Sequence, residues 1–499
     1  MTETFDVCIV GSGPAGAFAA NYIASKGYNV AIIEAGDSNL NSNPNLIFDE
    51  DSKNICGGIK FGFSQQIGGS SNLWAGGLAK FNSIDLEGRE DFSTLDWPFN
   101  ETELAKLYKS INPYFGINND GLPIKVRPKS DLKDICNTSI DSREVYLLNS
   151  PFSTKVLVEN VMNISLFERT SANFLEFSEN SEFIDSIKVY NELTDEEFSI
   201  KAKIYILACG AITNIRLLLY SLEKLKSKVP DLYSNIGKYF STHPKGEIGT
   251  VKLKQKLPRE HILFSAFHNE IFSSRFQFGL SKGSLLENGL LNHCLRFDSP
   301  FNHRATKIFD STKNLIGSLP VLRNGKGMSV ETLANLGVCV YKFLDNIGTL
   351  KSSGNTLAVR GFFDQQALLS NKVTLSQKKS KSGLPLADIS WRFSQADWDN
   401  VERFMSCFIK EFNKLNLGDF HYKKPCGIDF TGIHSHFMGG TRVGDSVKNS
   451  VVDQNLKVHK VKNLFISGPS VFPSFGYANP FYTIAALSLR LGKHIIKNL

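Results

Sequence analysis

The residues best suited to chemistry stand near the start of the chain, where Gly11, Gly13 and Gly16 form the pattern G-x-G-x-x-G. Gly11 allows a tight turn, Gly13 lets a pyrophosphate approach bare backbone, and Gly16 lets a helix lie close to a strand. Glu34 follows Gly13 by 21 residues, about the distance at which a carboxylate takes the ribose hydroxyls of an adenine dinucleotide. The alternative for Glu34 is a solvated acid at a strand end. Together these residues predict a dinucleotide-binding site.

The elements around this loop have the pattern that such a site needs. Residues 5–10 are almost all apolar, as in a buried parallel strand, and the alanine-rich run after the glycines predicts a helix that ends at Gly27. Residues 29–34, 203–208 and 463–468 predict three more buried strands. We therefore expect an α/β fold in which helices cover a parallel sheet.

The rest of the chain predicts a second domain, and each of the two domains is expected to consist of separate stretches of the sequence. We assign residues 1–100, 151–240 and 430–499 to a Rossmann-like domain. Residues 101–150 and 241–429 are assigned to an α+β substrate-binding domain with a mainly antiparallel sheet, because aromatic and alternating residues predict strands between residue 241 and about residue 425.

Local patterns add detail to this division. Ser394 is expected to cap an amphipathic helix whose aromatic residues belong to the core. Residues 164–168 and 186–190 predict small antiparallel strands, residues 117–150 show no clear periodicity, and Asn479-Pro480 is expected to open a helix that runs to about residue 497.

The composition is that of an ordinary globular protein, with 42% hydrophobic and 21% charged residues. The net charge of +7 is spread along the chain and forms no basic stripe, so we expect no nucleic-acid partner. The eight cysteines include no C-x-x-C pair, which gives no sign of a zinc site or a disulfide framework. Because neither a signal peptide nor a long apolar run is visible, we expect a cytoplasmic protein without a membrane span.

Ordered blocks from one end of the chain to the other resemble the glucose-methanol-choline (GMC) oxidoreductases, a family of FAD-dependent enzymes. The blocks are residues 11–34, 68–77, 96–104, 207–219, 235–240 with His243 and Pro244, 436–444, 451–453, 463–465, and Asn479-Pro480 with 483–484. The tail blocks from residue 436 onward are the most specific. The chain looks most similar to the sugar-oxidising branch that includes pyranose 2-oxidase.

The resemblance implies roles for two residues near the end of the chain. In that family, a histidine at the position of His436 is the base that takes the hydroxyl proton, while hydride leaves the same carbon for flavin N5. A residue at the position of Asn479 binds the same oxygen. Imidazole suits the first role because it titrates near neutrality, and an amide would hold the oxygen without competing for the proton.

The residue types alone also allow purely structural roles for His436 and Asn479. His436 could be a histidine of the core, and Asn479 could simply cap a helix. His434 is expected to be structural or to support His436, and with no third ligand nearby we expect no metal.

The resemblance also implies FAD as the cofactor. Pyranose 2-oxidases attach FAD through a histidine just before a tryptophan, whereas this chain has Leu73 before Trp74, so we expect non-covalent FAD. Ala75 replaces the usual threonine, which removes a hydroxyl that faces the flavin and weakens the case for an oxidase. The residues expected to contact FAD are Gly11, Gly13, Pro14, Ala15, Gly16, Glu34, Gly68, Gly69, Ser70, Asn72, Trp74, Ala75, Gly210, Gly468 and Pro480.

The implied reaction is oxidation of a CH–OH group, in this branch a secondary hydroxyl of a sugar or glycoside, with an unknown electron acceptor. Gln365 and Gln366 are candidates for binding substrate hydroxyls, with surface amides as the alternative. Two other reaction classes stay open. A flavin monooxygenase driven by NADPH would usually need a second dinucleotide loop, which the chain does not show, and a non-redox lyase on the same scaffold could keep His436.

Overall fold

The computed structural model describes residues 4–38, 47–50, 63–117, 135, 137–150, 152–257, 261, 263, 267–268, 272–298, 355–424 and 436–499. The strands are β1 Thr4–Val10, β2 Val30–Ile33, β3 Gly77–Ala79, β4 Ile140–Leu148, β5 Ile164–Phe167, β6 Thr170–Phe177, β7 Ile184–Asn191, β8 Glu196–Leu207, β9 Lys245–Leu253, β10 Phe267–His268, β11 Phe272–Leu280, β12 Cys294–Asp298, β13 Thr356–Phe362, β14 Lys372–Lys379, β15 Pro385–Ser390, β16 Gly418–Tyr422 and β17 Leu464–Ile466. The helices are α1 Pro14–Ala24, α2 Ser83–Leu86, α3 Glu101–Ile111, α4 Gly210–Leu222, α5 Pro230–Asn235, α6 Lys282–Glu287, α7 Gln395–Lys414 and α8 Phe481–Ile495.

The first sheet holds the strands that carry the glycine loop. β5, β2, β1, β8 and β17 lie side by side and all pair in parallel. The first half of β8 extends beyond this group and pairs antiparallel with β7, which pairs with β6. The four predicted buried strands are therefore confirmed, and their carboxyl ends meet at one edge, where ligands bind in open α/β sheets.

One strand of this sheet corrects the prediction. Residues 164–168 were expected to be antiparallel, but β5 pairs in parallel with β2, with Val30 opposite Ile164. The short alternation Ile-Ser-Leu-Phe identifies a half-buried strand, but alternation contains no information about strand direction. The direction depends on where the preceding connection brings the chain, which is decided by the tertiary fold. The prediction for residues 186–190 was right, because β7 is antiparallel.

The second sheet is antiparallel throughout, in the order β16, β9, β13, β12, β11, β4, β3. It confirms the predicted fold class, in which a Rossmann-like sheet is joined to a mainly antiparallel one. β4 was missed, because polar and charged residues interrupt its alternation where both faces of the strand are covered.

One face of the second sheet packs against α7. Ser394 and Asp397 form a reciprocal capping box at the start of this helix, as Ser and an acid three residues later predict. Phe404, Phe408 and Phe412 are fully buried, and Phe412 stacks with Phe297 of β12 at a centroid distance of 5.6 Å. The aromatic residues of α7 are therefore core, as expected.

The last helix, α8, packs against α1 and α3 and closes the chain over the first sheet. Its cap is Pro480, so the helix begins one residue later than predicted. None of the helices among the described residues is both long enough and apolar enough to span a membrane.

Phe408 gives a test of the packing between α7 and the second sheet. Its side chain is 0% exposed, so Phe408→Ala should lower the free energy of unfolding by about 3–5 kcal/mol, through lost burial and the cavity left behind. The measurement is the midpoint of urea unfolding of the FAD-loaded protein. Phe198→Ala, at a position that is 37% exposed, is the matched control and should move the midpoint much less. Equal shifts for the two variants would contradict this packing.

Candidate active site

The glycine loop is shaped by contacts that leave no room for side chains at two of its three glycines. Gly11 has φ +99°, and a Cβ there would lie 2.7 Å from the Ala208 carbonyl oxygen. A Cβ on Gly16 would lie 1.9 Å from the Gly11 carbonyl oxygen. Both glycines therefore serve the close approach of β1, β8 and α1, as their spacing predicts.

Gly13 differs from the other two, because its surroundings are open. Its backbone is ordinary, with φ −64°, and a Cβ there would meet only the Gly69 Cα atom, at 3.8 Å. Gly13 also occupies the cap position of α1, which has no side-chain cap. The bare helix start and the open space beside Gly13 are what an approaching pyrophosphate needs.

Glu34 lies directly beside this loop. One carboxylate oxygen accepts hydrogen bonds from Ser12 N at 3.0 Å and Ser12 Oγ at 2.7 Å, and the other accepts from Gly36 N at 3.0 Å. Burial raises the pKa of the Glu34 carboxyl, while the hydrogen bonds from Ser12 and Gly36 oppose that rise. Glu34 is thus no solvated acid, because it ties the end of β2 to the glycine loop.

A second glycine loop lies against the first. Gly68 N donates to Ser12 Oγ at 3.1 Å, and a Cβ on Gly69 would lie 2.9 Å from the Gly13 Cα atom. The Asn72 amide donates to the carbonyl oxygens of Ile67 and Gly69, so it braces the loop from within. Ser70 is exposed next to it.

Two more predicted glycines lie at the same edge of the sheet. Gly468 follows β17, and a Cβ there would lie 3.5 Å from the Ala15 Cβ atom. Gly210 begins α4 after β8, with φ +80°, and a Cβ there would meet nothing within 4 Å among the described residues. The structure therefore brings the Gly11, Gly68, Gly210 and Gly468 segments together at the carboxyl ends of β1, β8 and β17.

Trp74, Ala75 and Pro480 connect this edge to the start of α8. The Trp74 ring stacks on Phe481 at 3.7 Å with an interplanar angle of 14°, and its Nε1 donates to the Phe152 carbonyl oxygen. Ala75 is exposed beside it, and Pro480 caps α8. The Trp74 ring thus packs on Phe481, the first residue of α8.

Asn479 stands just before α8 but does not cap it, since the cap is Pro480 and no side chain bonds to the helix start. A Cβ on Gly77 of β3 would lie 2.6 Å from Asn479 Nδ2. Among the residues that the structure describes, none forms a hydrogen bond with the half-buried Asn479 amide. The amide is therefore available to a ligand.

His436 lies opposite a second histidine that the sequence analysis did not single out. His243 Nδ1 is 3.1 Å from His436 Nδ1, and His243 Nε2 is 3.1 Å from the Phe475 carbonyl oxygen. Burial lowers the pKa of His243 to about 4, although the carbonyl groups of Phe475 and Gly476 oppose the change. The only sequence signal was the presence of His243 in a block that resembles the family. His434 lies outside the described residues.

The segment 475–479, called here the tail loop, joins these two sites. His243 contacts Phe475 at its first position, and Asn479 is its last residue. His436 is thus linked through His243 to the first residue of this short loop, and Asn479 is its last residue.

The tail loop is anchored from behind by a buried polar group. Trp97 Nε1 donates to Ser474 Oγ at 2.7 Å, and Ser474 Oγ donates to the Asp85 carbonyl oxygen. The Asp85 side chain lies against Gly476, where a Cβ would be 2.7 Å from Oδ1, and accepts from Asn292 Nδ2. Burial raises the pKa of the Asp85 carboxyl.

A polar face of the second sheet lies toward the tail loop. Gly77, which touches Asn479, pairs with Leu147, and on the same face Arg143 of β4 stands opposite Gln277 of β11. The Arg143 guanidinium lies 4.7 Å from the Tyr477 ring centroid. This face is opposite to the one that packs on α7.

Gln365 and Gln366 do not belong to this face. The Gln365 amide is fully buried and bonded to Ser241 Oγ, Trp391 Nε1 and the Arg392 carbonyl oxygen. Its hydrogen-bonding groups are already used by the protein, so its role here is to join three segments.

Comparisons with known proteins agree with this architecture. The family model described as GMC oxidoreductase matches residues 369–488, and one described as an NAD(P)-binding Rossmann-like domain matches residues 9–39. The chain is 21% identical to 2-methyl-1,2-propanediol dehydrogenase of Mycolicibacterium austroafricanum, over 98% of this chain and 95% of that protein. It is also 21% identical to 6'''-hydroxyparomomycin C oxidase of Streptomyces lividus, over 100% and 92% of the two chains.

A solved structure has the same fold. Pyridoxine 4-oxidase from Mesorbium loti superposes with a TM-score of 0.58 at 15% identity, covering 98% of this chain and 99% of that one.

The two sheets, the converging glycine loops and these relatives define an FAD-dependent oxidoreductase that acts on CH–OH groups. The match of residues 369–488 to the GMC oxidoreductase model, together with the fold and these relatives, supports the GMC oxidoreductase family for this chain. The residues present fit FAD, because the open backbone at Gly13 and Gly210 and the buried Glu34 lie at the edge where the dinucleotide binds.

Gly13 offers a direct test of the cofactor site. Gly13→Ala should leave folding intact, because φ is ordinary and the nearest atom is 3.8 Å away, but should lower FAD content at least tenfold by filling the space for the pyrophosphate. FAD content is measured as the ratio of flavin to protein absorbance. Gly283→Ala in α6, where a Cβ meets nothing within 4 Å, is the control and should keep full FAD. Normal FAD content in Gly13→Ala would rule out this placement of the pyrophosphate.

Gly77 tests the position of Asn479. Gly77→Ala should displace the Asn479 amide, because the new Cβ would lie 2.6 Å from Nδ2, and so slow flavin reduction by substrate without loss of FAD. Asn479→Ala should slow flavin reduction to a similar extent. The double variant should be no slower than either single variant, since both changes remove the contact between the Asn479 amide and the substrate. The measurement is the limiting rate of anaerobic flavin bleaching. Fully additive losses would show that Gly77 acts independently of Asn479.

Proposed function

We propose that the enzyme oxidises a secondary hydroxyl of a sugar or glycoside to a ketone, with His436 as the base and Asn479 as the group that holds the substrate oxygen. The observation that supports this most strongly is that His436 is linked through His243 to the first residue of the tail loop, whose last residue is Asn479 at the start of α8. The relatives named as dehydrogenases and oxidases favour this reaction over the non-redox and NADPH-driven alternatives.

The roles of the two side chains follow from their chemistry. His436 takes the hydroxyl proton at one ring nitrogen, which an imidazole can do near neutral pH. The Asn479 amide donates a hydrogen bond to the same oxygen, whose negative charge grows as the carbon loses its hydrogen. FAD, when bound, supplies the acceptor for that hydrogen and its electrons.

A hydroxyl-rich substrate is supported by the polar face of the second sheet. Arg143 and Gln277 are almost fully buried on the face that turns toward the tail loop, and Arg275 lies on that face two residues from Gln277. The Arg143 guanidinium already donates to the carbonyl oxygens of His293 and Leu280, whereas Gln277 Oε1 has no hydrogen-bond partner among the described residues. A buried polar face of this kind suits a hydroxyl-rich substrate better than an aromatic or aliphatic alcohol. Among the relatives, one is named for a diol and one for a hydroxylated aminoglycoside.

We further propose that FAD is held without a covalent bond. Leu73 precedes Trp74, and an alkyl side chain offers no atom that could form a flavin linkage. The sets of residues proposed to contact FAD are the glycine loop with Pro14 and Ala15, the Gly68 loop, Gly210, Gly468 and the start of α8.

The proposed function is tested by anaerobic mixing with sugars, glycosides, polyols and simple alcohols. A sugar should bleach the flavin, and His436→Ala should lower the limiting rate about 10²- to 10⁴-fold, since general base catalysis is lost. His421→Ala, on the exposed edge strand β16, is the matched control and should react like the wild type.

Three results would contradict the proposal. Product formation with the flavin still oxidised would indicate a lyase, bleaching by NADPH alone would indicate a monooxygenase, and unchanged bleaching in His436→Ala would exclude His436 as the base.

A further inference from the structure

The contact between His243 and His436 is built into the backbone. Ser241 and Met438 exchange two hydrogen bonds of 2.9 Å as an antiparallel bridge. Residues two positions away on each side, His243 and His436, are therefore a cross-strand pair. Their rings meet edge to face, with centroids 5.3 Å apart at 89°.

The partners of His243 determine which of its nitrogens carries the proton. Nε2 lies 3.1 Å from the Phe475 carbonyl oxygen, which can only accept a hydrogen bond, so Nε2 must be the N–H donor. His243 is 3% exposed, and burial lowers its pKa to about 4, so the ring is neutral at ordinary pH and has only one N–H. Its Nδ1 therefore has a lone pair and accepts.

This assignment fixes the other ring. Because His243 Nδ1 accepts, the hydrogen bond of 3.1 Å between the two Nδ1 atoms requires His436 Nδ1 to be the donor. A neutral His436 with its proton on Nδ1 has its lone pair on Nε2. We infer that His243 is a positioning residue that holds His436 in the Nδ1–H tautomer and thereby makes Nε2 the basic nitrogen, an inference that rests on the proposed role of His436.

The same contact also links the base to the oxygen-binding amide. When His436 gains a proton on Nε2, its Nδ1–H can still donate to His243, so the ring need not turn during proton transfer. His243 in turn donates to Phe475 at the start of the tail loop, which ends at Asn479. One buried side chain therefore sets the orientation of the base and restrains the loop that carries Asn479.

The inference is tested first by the tautomer itself. The FAD-loaded enzyme is labelled with ¹⁵N-histidine, and the ring signals of His436 are identified by their loss in His436→Gln. We expect the chemical shifts and couplings of a protonated Nδ1 and an unprotonated Nε2. A protonated Nε2 in the wild type would overturn the inference, whatever the variants do.

Two variants of His243 separate hydrogen bonding from packing. His243→Leu fills the buried site without an acceptor, so we expect part of His436 to shift to the Nε2–H tautomer and the limiting rate of flavin reduction to fall about 10- to 100-fold. His243→Asn places an amide oxygen near the former Nδ1, so the tautomer should be retained and the rate should stay within a few-fold of wild type. The substrate concentration for half-maximal reduction should change little in either variant.

The outcomes distinguish this inference from the proposed function. If His243→Leu and His243→Asn lose rate equally with no change of tautomer, His243 is only a packing residue and the inference fails. If the tautomer follows the prediction but His436→Ala reduces its flavin at the normal rate, the hydrogen bond stands and the proposed base is wrong.

Discussion

The candidate active site depends on a short backbone ladder between two segments that lie far apart in the sequence. Gly237 N donates to the Gly440 carbonyl oxygen at 2.7 Å, and Ser241 and Met438 exchange a pair of hydrogen bonds. The ladder requires glycine, since a Cβ on Gly439 would lie 2.1 Å from the Tyr239 carbonyl oxygen. It fixes the register of both segments, and that register places His243 opposite His436.

The ladder also joins the parts of the molecule that must stay aligned during catalysis. Val373 N of β14 donates to the Gly237 carbonyl oxygen, and Gly439 N donates to Pro469 just after β17. The same segment is therefore bonded to the β14–β15 hairpin and to the end of the first sheet. Since FAD is expected at that end of the sheet, the proposed base His436 and the cofactor would share one support.

Burial gives the polar groups of the site their properties. His243 is neutral because burial lowers its pKa, although the nearby carbonyl groups oppose the change, and so it can accept a hydrogen bond from His436 without adding a charge. Glu34 and Asp85 are buried carboxyls held by several donors, at the cofactor loop and behind the tail loop respectively. In each case the protein supplies the hydrogen bonds that water would have supplied, which fixes the geometry of the group.

Sequence reasoning succeeded where a local constraint selects the residue type. Gly11 and Gly16 are required by contacts within a single strand-turn-helix unit, and Ser394 with Asp397 forms a cap within one helical turn. It failed where the outcome depends on distant partners. The direction of β5, the existence of β4 and the internal bonding of Gln365 are set by neighbours that lie tens to more than 100 residues away.

The sequence by itself determined the nucleotide-binding unit, the fold class and, through resemblance, the candidates His436 and Asn479. These follow from residue types at short spacing, where sterics and hydrogen bonding act over a few residues. Only the tertiary structure decided that His243 faces His436, that Asn479 lies against Gly77 and does not cap α8, and that a polar sheet face turns toward the tail loop. Such contacts depend on strand register and on how two sheets pack, and no local pattern contains that information.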